Sequence, residues 1–99
     1  MIKAILPAVL LWTLSTFSFA ATETYSFKTA TNQTVMIGDS IHQLMDRTGQ
    51  SPSSMKSTSW QEGDQTHQAL EYHYHIGENV YAVTVVNNLV RKIEYKKNI

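Results

Sequence analysis

The sequence predicts an α+β domain: a short helix packed on a three-stranded antiparallel meander, with room for an extra N-terminal hairpin. Three observations lead there. Ser40 and Gln43 form an S-x-x-Q capping pattern, which an apolar stripe follows and Gly49 closes. From Leu70 the apolar residues recur every second position, as in half-buried strands. That alternation is cut by two turn signals, Gly77-Glu78-Asn79 and Asn87-Asn88, which implies two consecutive hairpins.

Taken in order, Met1-Ile2-Lys3 gives a positive start, and Ala4 to Leu14 is apolar apart from Pro7 and Thr13. Ser18-Phe19-Ala20 puts small residues where signal peptidase reads, so residues 1–20 are expected to be a secretory signal cleaved near Ala20. The run is too short and wrongly flanked for a membrane span. Residues 21–99 then form one small domain. Ala21 to Thr24 reads as a frayed start. Tyr25 to Lys28 alternates like a strand, Thr31-Asn32-Gln33 is turn chemistry, and Val35-Met36-Ile37 returns as a second short strand.

The helix is expected over Ile41 to Thr48. The Ser40 hydroxyl accepts from the backbone at Gln43, and the Gln43 side chain reaches back. Ile41, Leu44 and Met45 make one stripe, and Asp39 complements the positive end of the helix dipole. Gly38 is the loop glycine before the cap, and Gly49 supplies the left-handed residue after Arg47. Gln50 to Gln68 is rich in serine and reads as a long loop, with room for a short strand near Trp60, itself a core plug or a ligand platform. In the meander, Leu70, Tyr72, Tyr74 and Ile76 share one face and Glu71, His73 and His75 the other. Val80 to Val86 is rich in β-branched residues, and in the last strand Leu89, Ile93 and Tyr95 share a face. Tyr72, Tyr74 and Tyr81 read as core rather than as an aromatic binding surface.

Composition narrows the function. Eight basic residues balance eight acidic ones, and loss of Lys3 leaves one acidic residue in excess. Such a chain has no field for nucleic acid or an anionic membrane, and the C-terminal group Arg91, Lys92, Lys96 and Lys97 reads as solvated charge. There is no cysteine. Disulfides, thiolate metal sites, a cysteine nucleophile and a lipoprotein anchor are therefore excluded, and no cofactor is implied. A domain this small buries only about 60% of its unfolded surface, so a partner or self-association would help it.

Two constellations could carry chemistry. Gly38-Asp39-Ser40-Ile41 resembles the opening block of the GDSL-type serine hydrolases, and Asp64-Gln65-Thr66-His67 has the D-x-x-H form of their closing block. Between them the chain has no alternating β-α pattern and no second glycine block to supply an oxyanion hole, so Ser40 reads as a cap, not a nucleophile. The second is a metal site at His73 and His75, with Glu71 on the same face and His67 or His42 as a further ligand. No second motif fixes that ligand, and the same residues also fit the outward face of an amphipathic strand.

The order V-M-I-G-D-S-I-H-Q-L-M-D-R-T-G-Q-S-P, then E-Y-H-Y, then Y-A-V-T-V-V-N-N-L-V-R-K-I resembles the SmpA/OmlA (BamE-like) superfamily of small bacterial envelope proteins. It is more similar to an uncharacterised exported family with F-[KR]-C, then G-D-S, then K-C-G-E-P. Thr29 and Thr48 stand where that family has cysteines, and Pro52 lies one residue later than its pattern. The resemblance covers about Tyr25 to Tyr95 and implies a helix-plus-sheet fold, with Gly38 and Ser40 as loop glycine and cap, Gly49 ending the helix, and Tyr74 and Ile93 in the sheet. It also implies a non-catalytic role in the cell envelope. The expected function is that of a soluble periplasmic interaction domain, without lipid anchor, that meets another envelope protein through its sheet face or edge. The alternative is a metal-binding periplasmic protein using His73 and His75, with a small serine hydrolase using Ser40 as a remote third.

Overall fold

A strand that alternates apolar and polar residues buries one face and wets the other. The segment from Leu70 does this in the computed structural model, which describes residues 21–97; the segment read as a signal peptide lies outside the described residues. The elements are β1 (Thr22–Thr24), β2 (Ser26–Lys28), β3 (Thr34–Met36), α1 (Ile41–Thr48), β4 (Ser54–Glu62), β5 (Gln65–Ile76), β6 (Asn79–Val86) and β7 (Leu89–Lys97). One antiparallel sheet has the order β1-β7-β6-β5-β4, and β2 and β3 form a separate two-stranded sheet.

This corrects the expected architecture. The domain is predominantly β, and the β5-β6-β7 meander is only the middle of a five-stranded sheet. Two segments account for the difference. Thr22–Thr24, read as frayed, pairs with β7 from Thr22–Tyr95 to Thr24–Ile93. Gln50 to Gln68, read as a loop, contains all of β4 and the start of β5, paired from Ser54–His73 to Glu62–Gln65 around a turn at Gly63-Asp64. The alternation of β4 is invisible because neither of its faces is buried; only Thr58 and Trp60 are even partly covered.

The last strand also departs from simple alternation. A register shift between Thr84 and Val85 pairs Val83 with Ile93 but Val85 with Val90. Such a bulge places one extra residue in the opposite strand. Val90 and Ile93 therefore both enter the core, fully buried, while Leu89 is 42% exposed and not a core residue.

The core lies between the five-stranded sheet and a cover made of α1 and the β2–β3 hairpin. Phe27, Val35 and Leu44 from the cover meet Tyr72, Tyr74, Val83, Val85, Val90 and Ile93 from the sheet. Phe27 stacks on Tyr81 with ring centroids 4.4 Å apart. The helix stripe is Ile41, Leu44 and Thr48; Met45 faces solvent. Buried Thr48 satisfies its hydroxyl by donating to Leu44 O at 2.9 Å.

The ends of α1 hold the cover in place. Gln43 N donates to Ser40 Oγ at 3.1 Å, and Ser40 N donates to Gln43 Oε1 at 2.9 Å, completing a capping box. Gly38, at φ +101°, adopts a conformation that only glycine reaches easily. It lets Gly38 N donate to Val90 O, while Val90 N donates to Asp39 O and Ile41 N to Asn88 O, each at 2.8 Å. The entry to the helix is thus strapped to the β6–β7 hairpin. Asp39 Oδ2 accepts from Arg47 Nη1 and from Met36 N, both at 2.9 Å, tying helix and β3 together. At the other end Gly49 closes the helix at φ +62°, and the Thr31 hydroxyl donates to Arg47 O at 2.8 Å.

Two measurements test this core. Ser40→Ala removes the acceptor for Gln43 N and is expected to destabilise the fold by about 1 kcal/mol in chemical denaturation; an unchanged midpoint would contradict the capping role. Tyr74 is fully buried and its hydroxyl has no partner in hydrogen-bonding geometry. Burial pushes its phenol above the ordinary value; the neighbouring Thr48 hydroxyl lowers it in part, and Tyr72 adds to the rise. A phenol that holds its proton longer when folded stabilises the fold fully below the unfolded pKa and ceases to as pH rises through the folded one. Stability should therefore fall above about pH 10, and Tyr74→Phe should lose less over that interval. Equal losses in both proteins would refute it.

Candidate functional site

The structure does not bring Ser40 and His67 together. The Ser40 hydroxyl is engaged by Gln43 N on the helix side of the sheet. His67 pairs with Trp60 in the β4–β5 hairpin, on the same face as Glu71 and His73, away from the core. Gly38, Gln43 and Gly49 all serve the ends of α1.

Glu71 and His73 do meet, but as members of a hydrogen-bonded chain that also contains Ser54. His73 Nδ1 lies 2.7 Å from Ser54 Oγ, and His73 Nε2 lies 3.0 Å from Glu71 Oε2. Ser54 was not among the sequence candidates, because only the register of β4 on β5 places it opposite His73. Both ring nitrogens of His73 are therefore occupied, and a metal would have to displace a partner. Among the described residues no group of three or more His, Asp or Glu side chains is placed to hold a metal ion. His75 lies further along the same face, opposite Val80.

A serine, a histidine and a carboxylate in line suggest a nucleophile relay. Here the serine stands on an open edge strand, and a relay of this kind would also need donor amides placed for an oxyanion. The chain instead fastens β4. Ser53 N donates to His73 O at 2.7 Å and Ser53 Oγ donates to the same oxygen at 3.2 Å. The other end of β4 is fastened too. Arg91 Nη2 donates to Glu62 Oε2 at 3.2 Å, and its guanidinium carbon sits 5.4 Å from the Trp60 ring centroid. Trp60 Nε1 is covered and has no hydrogen-bond partner.

What results is a nine-residue edge strand, pinned at both ends, with β5 as its one sheet neighbour among the described residues. The opposite edge, β1, has only three residues. Alongside β4, on the helix side, a groove of about 420 Å³ runs between Ile41, Ser57, Leu70 and Tyr72. Leu70 and Met55 are exposed beside it at 37% and 55%. A smaller depression of about 260 Å³ lies at the far side of the sheet, lined by Glu23, Thr24, Tyr25 and Ile37.

Comparison with family models, with curated proteins and with solved structures finds no match. Among the described residues no helix is long and apolar enough to cross a membrane.

Because His73 is held from both sides, zinc in excess is expected to leave the melting temperature unchanged. A rise of several degrees, lost in His73→Ala, would show that the imidazole is released to metal.

Proposed function

We propose that the protein is a non-catalytic interaction domain of the bacterial cell envelope that works by accepting a strand at the open edge of β4. An edge strand presents a row of unpaired backbone donors and acceptors, which an extended segment can complete. One observation supports the reading above all: β4 is fixed at its start by the Ser53, Ser54 and His73 bonds and at its end by Arg91 on Trp60 and Glu62. A template held in one conformation loses little freedom when it binds, so more of the pairing energy appears as affinity. The groove beside Ile41 and Leu70 offers apolar contacts to side chains of the incoming strand on the helix side. The export expected from the first twenty residues and the resemblance to BamE-like proteins support a periplasmic setting for this binding.

Natural edge strands are protected by charged side chains, lysine above all. Replacing both Ser57 and Ser59 by lysine puts two charges on the helix side of an edge that now carries serines there. Capture of envelope proteins by crosslinking should fall about ten-fold, while folding stability, as for other surface changes, shifts by less than about 1 kcal/mol. Undiminished capture by the double variant would rule out the β4 edge as the binding surface.

A further inference from the structure

The charges on β4 are arranged about its centre. Its sequence is S-M-K-S-T-S-W-Q-E, and its two charged residues, Lys56 and Glu62, stand three positions before and three after Ser59. We infer that the strand received at this edge is β4 of a second copy, paired antiparallel about a two-fold axis through Ser59. This rests on the proposal that the β4 edge is the binding surface, and it names the occupant.

An axis through Ser59, perpendicular to the sheet, sets Lys56 of each copy opposite Glu62 of the other. It sets Thr58 opposite Trp60 and Ser57 opposite Gln61. Residues opposite one another in an antiparallel pair point to the same face, and each of these pairs is separated by an even number of positions in β4, so the faces match. The pairing therefore yields two opposite-charge pairs and two aromatic–β-branched pairs, with no like charges opposed. Moving the axis to Thr58 would put Lys56 against Trp60 and Glu62 against Ser54, and both charge pairs would be lost.

The neighbouring groups fit the same register. Met55, 55% exposed, comes opposite Gly63, where a Cβ would find nothing within 4 Å, so the thioether has room to lie across the turn. Glu62 already accepts from Arg91 at 3.2 Å and keeps a second carboxylate oxygen for the incoming lysine. The axis keeps both helix covers on one side and joins two five-stranded sheets edge to edge, removing the longer open edge of each. An isologous contact of this kind closes after two copies and does not propagate into a fibre.

Sedimentation of the protein purified from cells expressing the full sequence, over a range of concentrations, tests the inference. The wild type is expected to be a dimer. Lys56→Glu sets Glu against Glu twice, and Glu62→Lys sets Lys against Lys twice, so each variant alone should dimerise at least ten-fold more weakly. Mixed together they should form a heterodimer, because both charge pairs are then opposite in sign. A monomeric wild type overturns the inference; capture that still falls about ten-fold with lysines at Ser57 and Ser59 would then leave the edge-binding proposal standing. A dimer indifferent to both substitutions, or variants that fail to pair when mixed, also overturns it. Should Glu62→Lys fail to fold beside Arg91, Lys56→Glu decides alone: a dimer as strong as wild type refutes the register.

Discussion

One short helix and one small hairpin must cover a sheet much longer than themselves. The eight residues of α1 span about 12 Å at 1.5 Å per residue. The twelve residues of β5 span about 40 Å at some 3.3 Å per residue. Where the cover sits, the sheet is dry: Tyr74, Val83, Val90 and Ile93 are fully buried. Where it stops, the same face becomes wet, and Leu70, in phase with Tyr72 and Tyr74, is left 37% exposed. The polar character of β4 follows. A strand beyond the cover has no core to fill, so serine and threonine replace aliphatic side chains, and cohesion passes to the backbone ladder.

That mismatch would be harmful if the cover could slide. The bonds from Gly38, Asp39 and Ile41 to the β6–β7 hairpin fix its position along the sheet. The Asp39–Arg47 ion pair and the contact of Thr31 with the last helical turn fix its orientation against β2 and β3. Ser40 belongs to this junction. Its hydroxyl organises the first turn of the helix, and its backbone bridges to Leu89. The uncovered end of the sheet is therefore a constant feature of the fold and can serve as a surface.

The parts of this arrangement legible in the sequence are those specified locally. The helix can be read because capping chemistry, stripe and terminal glycine lie within a dozen residues. The turns at Gly77 and Asn87-Asn88 announce themselves by residues that accept positive φ. The five-stranded sheet cannot be read, because β1 and β4 carry no alternating burial pattern, and β1 exists only through pairing with the last strand of the chain. The bulge at Val85 defeats period-two reasoning in β7, exchanging Leu89 for Val90 in the core. The candidate site shows the same division. Glu71 and His73 stand out as polar residues on one strand face, but their partner Ser54 appears only when the register is known. Arg91 looks like one of several surface cations, and only the extra residue in β7 carries it over Trp60 and Glu62.

Everything proposed for this protein rests on strands joining at the outer side of β4. Hydrogen exchange of the β4 amides at increasing protein concentration tests this most directly. Amides that point outward from an unpaired edge exchange quickly, whereas those in a ladder are protected. Alternate amides between Ser54 and Glu62 should become protected as concentration rises, while the amides of β1 do not change. Rapid exchange of the same amides at every concentration would contradict it.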